Sequence, residues 1–409
     1  MSFTTLPQSL QDIIQEGMLE REFKAPLTAK TGFRDIADKE AFPARIGETV
    51  TKTRAGLLPA ATTPLGLQTN DLDNGIAHKN FPVEQYSLSV DQYGDGMKLN
   101  LLGSATAISS VYLQNGKTLG EQAHRSIDSL ARNALFSAYM GGDTFVTETL
   151  SAAGVDLKVD DVSGFAAGQT VSVNGASTVQ IIAVNPDTTS TSVLKAFGGQ
   201  SGVLKFASNI TVANGTAGKT VQKSDVAFSI SDDELTVDMV LDAATQLRSN
   251  GVPTLASGRY RAYVSPKQVR SLFRDAQFKN WMQGNMDSAE ARSGILSIVG
   301  GVEFVETNLN PVYSGGTLGI VVGQGALIEG QFTANAYAEA NALSKESITW
   351  VNGVAHITRS PIDALQQVVS QSWSYVGGFT APTDKHTTPD VLPSASNAAL
   401  KRGVVLRTK

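Results

Sequence analysis

Cysteine is absent from all 409 residues. That removes disulfides, thiolate catalysis and cysteine-ligated metals together, fits a protein matured in a reducing compartment, and leaves stability to packing. Histidine is scarce: His78, His124, His356 and His386 stand far apart and form no paired ligand motif. Charge is thin as well, with Asp, Glu, Lys and Arg making up 17% of the chain against roughly 25% in an ordinary soluble domain. A lightly charged surface suits burial against partners. The formal net charge of -5 argues against nucleic-acid binding driven by charge over the whole surface, which takes a basic patch or stripe. Positive charge gathers only at Lys401, Arg402, Arg407 and Lys409, read here as a solvated end. No apolar run approaches the roughly 18 residues that span a bilayer, and no basic stretch followed by an apolar one opens the chain. The expectation is a soluble, unexported protein without membrane contact.

What is present begins with a helix. Leu119, Ala123, Ile127, Leu130, Ala134 and Ala138 recur at spacings of three and four, predicting a helix over Thr118–Tyr139 with one apolar face. Thr118 and Glu121 read as a capping box. Glu121 with Arg125, and Asp128 with Arg132, read as acid-before-base pairs on an exposed face. Gly141 and Gly142 end the helix.

Before it the chain shows little that could fold alone. Leu10, Ile13, Ile14 and Met18 give a short amphipathic start behind Pro7. Pro43, Pro59, Pro64 and Pro82, with Gly47, Gly56, Gly66 and Gly75, then divide Ala41 to Pro82 into extended pieces too short to bury a face. Tyr86, Leu88 and Val90, then Met97, Leu99 and Leu101, alternate with polar residues on either side of Gly94-Asp95-Gly96, predicting a hairpin.

After the helix, Phe145 to about Ser224 turns to Val, Thr, Ser, Ala, Gly and Asp, without His, Trp, Tyr or Arg. Strands are expected at Thr170–Val173, Val179–Val184 and Ser192–Leu194, with a tight turn at Asn174-Gly175. This reads as a small β domain inserted into a host. A second capped helix follows, with Ser231 and Glu234 as its box, Leu235, Met239, Ala243 and Leu247 on one face, and Asn250-Gly251 at its end. Tyr260–Val264, Val302–Thr307 and Leu318–Val322 read as strands, and Ser265-Pro266 as the start of a helix to about Asp275. Val369, Gln371, Trp373 and Tyr375 share one face of a late strand, opposite Val368, Ser370, Ser372, Ser374 and Val376, and small residues on that second face would let another element approach closely. The stretch past Gly377-Gly378, rich in Pro, Thr, Ser and Ala, reads as mobile or draped on a neighbour.

Motifs that could carry chemistry fail on context. The run Ala213, Asn214, Gly215, Thr216, Ala217, Gly218, Lys219, Thr220 fits a relaxed phosphate-binding loop, but such a loop must open a helix, and a loop and strand are expected after it. Met239 to Asp242 resembles the partner hydrophobic-Asp motif yet lies on a helix. Gly323-Gln324-Gly325 lacks the third glycine of a dinucleotide turn. Asp71, Asp73, Asn74 and Gly75 evoke a calcium loop, but the glycine comes early and Phe81 and Pro82 stand where a closing Glu belongs. No catalytic, cofactor-binding or metal-binding residue is assigned, and no cofactor or enzymatic activity is expected.

Thr63-Pro64-Leu65, Gln92-Tyr93-Gly94, Tyr263-Val264-Ser265-Pro266 and Val305-Glu306-Thr307-Asn308-Leu309, in that order and spacing, resemble the major capsid proteins of tailed bacteriophages with the Hong Kong 97 type fold. The branch typified by the coat protein of phage N4 is the nearer likeness. The resemblance implies an α+β chain with an N-terminal arm (1–40), an extended loop (41–86), a peripheral domain with a spine helix (87–144, continued over 225–250 and ended by 331–380), an inserted β domain (145–224), an axial domain (251–330) and a C-terminal tail (381–409). It also implies self-assembly into pentamers and hexamers of an icosahedral virion shell around double-stranded DNA contacted non-specifically. Assembly in the host cytoplasm, with scaffolding, portal and decoration proteins as further partners, belongs to the same expectation. Some relatives crosslink a loop Lys to an Asn; Lys79 lies in the loop, without a motif for that chemistry. Three other readings stay open: an encapsulin-like compartment shell, a carbohydrate-binding adhesin suggested by the Thr-rich segment, and a P-loop ATPase.

Overall fold

The computed structural model describes residues 18–28, 32–42, 49–55, 83–100, 108–139, 143–162, 165–187, 201–223, 229–232, 234–284, 298–313, 316–332, 347–359, 368–381 and 402–408. The chain divides into two compact units, one of Met1–Val50, Ser87–Leu135 and Leu327–Ala381, the other of Thr51–Tyr86, Phe136–Ala326 and Pro382–Lys409. His78, His386, Lys79, Asp71 to Gly75, Thr63 to Leu65 and Ser192 to Leu194 lie outside the described residues.

The first unit is built round a six-stranded sheet. Strand β1 (Ala37–Phe42) runs parallel to β17 (Leu327–Phe332), and β17 pairs antiparallel with the end of β20 (Val368–Thr380). The earlier part of β20 lies between β4 (Asp91–Asn100) and β19 (Val354–Arg359), and β18 (Ser347–Val351) closes the far side. The alternation read from β20 holds: Val369, Gln371, Trp373 and Tyr375 are buried, and of the opposite set only Ser374 is. Strands β2 (Thr49–Ala55) and β3 (Val83–Ser89) pair as a separate two-stranded ribbon.

The long helix, α2 (Ile108–Tyr139), starts ten residues before the predicted boundary. Thr118 is therefore not a cap but an interior residue, and its hydroxyl donates to the Gln114 carbonyl at 3.0 Å. The buried stripe follows a strict period of four, through Leu119, Ala123, Ile127, Ala131 and Leu135, so Leu130 and Ala134 are only half-buried. Leu119, Ala123 and Ile127 pack on Trp373, Tyr375, Val351 and Val354. Asp128, expected on an exposed face, is buried. Helix α1 (Met18–Thr28) lies across the same core through Phe23 and Leu27. Its Pro26 hid it, because an interior proline normally reads as a break.

No hairpin forms at Gly94–Gly96. β4 runs straight through, with Gly94, Asp95 and Gly96 opposite Ser374, Trp373 and Ser372 of β20. A full-length ladder with β20 overrides the local turn preference.

In the second unit, residues 143–223 form a six-stranded sheet in the order β5 (Asp143–Phe145), β10 (Thr220–Lys223), β7 (Thr170–Val173), β8 (Ser177–Pro186), β9 (Gly202–Ile210) and β6 (Gly154–Val159). It encloses its own cluster, including Val146, Leu157, Val171, Leu204, Phe206 and Val221. Asn174 and Gly175 have φ of 56 and 67°, both left-handed, at the centre of the turn that the Ala176 N–H closes on the Val173 carbonyl between β7 and β8.

A second sheet has the order β11 (Ser229–Asp232), β21 (Gly403–Thr408), β16 (Gly316–Val322), β12 (Tyr260–Val264), β14 (Val302–Glu306) and β13 (Ile298–Val299), with β15 (Val312–Tyr313) beside β16. Helix α3 (Val237–Ser249) packs on it through Leu235, Met239, Val240, Ala243 and Leu247. Residues 235–250 thus share a core with the strands after 251, and the expected grouping with the long helix does not hold. Thr236 caps α3, accepting from the Met239 N–H, whereas Ser231 lies in β11. The Ser265 cap is present, with Gln268 completing a capping box, but two short helices follow, α4 (Pro266–Leu272) and α5 (Ala276–Gly284).

The end of the chain departs most from expectation. Residues 403–408 are neither mobile nor draped elsewhere: they form β21, inside the sheet, parallel to β11 and antiparallel to β16. Val404, Val405 and Leu406 are fully buried. The buried Gln268 side chain donates to Thr408 Oγ1 at 3.1 Å and to the Thr317 carbonyl at 3.3 Å. Arg402 donates to the Gln324 carbonyl at 2.8 Å, so this one of the four basic residues is bound into the fold rather than simply solvated; Lys401 and Lys409 lie outside the described residues.

Ile127→Asp places an unpaired charge in the α2 core and is expected to destabilise the first unit by ~4 kcal/mol. Unchanged melting of the purified variant would contradict this packing.

Candidate functional site

Among the described residues, none of the sequence motifs builds a chemical site. The loop over 213–220 leads into strand β10, not a helix. Its amides are already used: Gly215 donates to Thr211, Gly218 to Val146 and Lys219 to Thr216, through the carbonyl oxygens at 2.8 to 3.1 Å. Asp242 lies on α3. Gly323-Gln324-Gly325 is a turn after β16 whose first two N–H groups donate to Arg402 and Pro253 carbonyls. Among the described residues, no group of three His, Cys, Asp or Glu side chains comes together.

The polar feature that the structure does assemble was not anticipated. Glu329, on β17, is 0% exposed. Arg34 grips it with two nitrogens, Nε at 3.0 and 3.1 Å from the two carboxylate oxygens and Nη2 at 2.7 Å from Oε1. Tyr375 Oη and Gln331 Nε2 donate to the same Oε1 at 2.9 and 2.8 Å. Arg34 Nη2 also donates to the Asn352 carbonyl at 2.8 Å, and its guanidinium lies 5.5 Å from the centre of the Tyr375 ring. Burial alone would raise the Glu329 carboxyl; Arg34, with Gln331 and Tyr375, more than offsets it and holds the group below its ordinary value. The same burial, with the Glu329 charge, pushes the Tyr375 phenol up.

Asp128 makes a second anchor for the segment before β1. Its carboxylate accepts the Arg34 N–H at 3.1 Å and the Phe33 N–H. Burial raises this carboxyl, and those two N–H groups and His124 offset the rise only partly. Phe33 and Ile36 are buried beside it. The segment before β1 is therefore held by two carboxylates from distant parts of the chain.

The return of the loop is held next to it by shape. Gly330 and Gly378 face each other across the β17–β20 ladder. A Cβ on Gly330 would come 2.7 Å from Leu88, and one on Gly378 would collide with the Ser89 carbonyl. The glycines form a seat for Leu88, which is fully buried, and for Val90. Neither anchor carries a sequence motif; a Gly-Gly pair at 377–378 and an isolated Glu in an apolar strand were the available signals.

Arg34→Met leaves a buried carboxylate without its cation and is expected to cost about 3 to 5 kcal/mol, whereas Arg34→Met with Glu329→Gln costs less, because a neutral amide still accepts from Tyr375 and Gln331. The native carboxyl sits low, so its contribution is present above the unfolded carboxylate pKa and is lost as pH falls through the folded value. In Arg34→Met the orphaned group titrates high, and that deficit shrinks from pH 7 to pH 5. Urea denaturation of the single and double variants at both pH values measures this.

No family model matches the chain, and the comparison with curated proteins returns no match. Solved structures do resemble it. The acidic stable capsid structure of Helicobacter pylori bacteriophage KHP30 aligns with a TM-score of 0.50 at 9% identity, covering 93% of this chain and 92% of that one. The capsid of Ralstonia phage GP4 aligns at 0.49 with 12% identity, covering 91% and 87%. A virus-like particle from Pyrococcus furiosus aligns at 0.40 with 7% identity, covering 96% and 97%. On the first of these, which spans nearly the whole of both chains, this chain has a mixed α+β fold of the Hong Kong 97 capsid type.

Proposed function

We propose that the chain is the major capsid protein of a tailed bacteriophage, of the branch typified by the phage N4 coat protein. Copies of it would assemble into pentamers and hexamers of an icosahedral head around double-stranded DNA. The observation that carries this reading is the capsid fold itself, shared with the KHP30 capsid over 93% of the chain. In this reading residues 1–40 are the arm, 41–86 the extended loop, α2 the spine helix and 145–224 an inserted β domain. The axial domain takes in α3 and β21 with residues 251–326, following the shared core. The working parts are interfaces, without cofactor, metal or catalytic set.

The physics of the chain supports the role. The β2–β3 ribbon has two strands, and such a ribbon is marginal unless it lies on another surface. In the first unit the sheet face away from α2 is paved with Gly94, Gly96 and Ser372. A flat bed of this kind suits a ribbon from an adjacent copy, and obligate interfaces of this sort bury roughly 2,000 to 5,000 Å². Closed symmetry then multiplies each contact into shell strength. A net charge of -5 keeps the lining from gripping DNA that must be packed and released, since tight phosphate binding needs many cations. Scaffolding, portal and decoration proteins would complete the assembly in the host cytoplasm.

Negative-stain microscopy and ultraviolet absorbance of the particles test this reading. Closed shells containing DNA are expected; shells enclosing proteins would identify a compartment shell, and a protease-resistant monomer at high concentration would overturn both. Deleting residues 55–81 is expected to leave a folded subunit that no longer sediments as shells.

A further inference from the structure

His356 stands on β19 with 2% of its surface exposed. Its ring lies 4.6 Å, centre to centre, from Phe23 of α1. Nε2 is buried and has no hydrogen-bond partner among the described residues. The site is the apolar cluster in which Phe23 and Leu27 meet Leu119, Ala123, Val354 and Trp373. Gly120 brings α1 close here, since a Cβ at that position would press on Pro26 at 2.9 Å. An imidazole in this place is tolerated only while neutral, because a cation would be buried with nothing to accept its second N–H.

We infer that protonation of His356 releases helix α1 from the first unit, while the following segment, residues 32–42, stays anchored through Arg34, Glu329 and Asp128. The N-terminal region thus has two holds that yield to acid in different pH ranges.

Neighbouring charges do not rescue the imidazolium. Among the described side chains of α1 they are Arg21, Glu22 and Lys24, none of them buried. On α2 they are Glu121, His124, Arg125 and Asp128, of which Asp128 is occupied by the Phe33 and Arg34 N–H groups. Glu329 of β17 is paired with Arg34, β20 contributes only the Tyr375 phenol, and β18 has no charged residue. Burial is the one cause that pushes His356 down, from 6.5 to about 4. The pH ranges then differ between the two holds. A histidine depressed in the folded state contributes stability above its unfolded value, lost as pH falls from 6.5 toward about 4. Asp128 is raised, so acid does not weaken its contribution, and Glu329 is lowered, so its contribution starts to be lost only below the ordinary carboxylate value, beneath the range in which His356 begins to protonate.

Hydrogen exchange of the full-length protein at pH 7.5 and pH 5, corrected for the chemical exchange rate, reads the two holds separately. The opening constant of amides 18–28 is expected to rise about 30-fold at pH 5, from the two titration positions, with amides 32–42 unchanged. In His356→Phe the rise is expected to vanish. Unchanged protection of 18–28 in the native protein, or an equal rise in His356→Phe, would overturn the inference. Should that variant not fold, Phe23→Ala serves instead: it hydrates the ring, and the His356 imidazole resonance is expected to titrate closer to 6.5 than in the native protein. Identical titration in both would overturn it as well. None of these outcomes depends on whether the chain forms shells.

Discussion

A carboxylate taken wholly out of water is tolerable only if its charge is met on the spot, and Glu329 is met by a residue 295 positions away. That requirement makes the start of the chain part of the first unit. Without Arg34 the centre of the β17–β20 region would hold an uncompensated anion, with Tyr375 and Gln331 aimed at it. With Arg34 in place, β1 is drawn into parallel register along β17, Phe33 and Ile36 are buried, and Asp128 receives the backbone just ahead of the strand. Charge pairing of this kind adds little net stability compared with an apolar filling, but it is unforgiving of a missing partner and so specifies one arrangement.

The second unit solves a similar problem with an amide. Gln268 completes the capping box of α4 with its Oε1 and spends its N–H groups on Thr317 and Thr408. One side chain thereby joins a helix start, an inner strand and the last strand of the chain. Because β21 lies between β11 and β16, that sheet cannot close until the final residues are present. Both units thus depend on distant pieces of sequence: β1 completes one sheet and β21 the other.

Locally encoded features were legible in advance. The α2 stripe at Leu119, Ala123 and Ile127, the Asn174-Gly175 turn, the Ser265 cap and the two-faced β20 follow from short-range rules, and each is found where the spacing placed it. Failures occurred where a distant partner reversed a local preference. Gly94-Asp95-Gly96 would turn in isolation but is held straight by β20. Thr118 would cap a helix, yet ten earlier residues also join it. Pro26 would end a helix, but α1 includes it while Phe23 and Leu27 are buried.

What the amino-acid order determined alone was therefore the inventory: a long helix, a Thr-rich β segment and a mixed α/β region. The tertiary structure decided which of the charged and polar residues would be enclosed. Asp128, Glu329 and His356 look like any surface residues in the sequence, because spacing records only neighbours within a few positions. Their burial depends on Phe33, Arg34 and Phe23 arriving from the arm, and desolvation is a property of the enclosing space rather than of the residue enclosed.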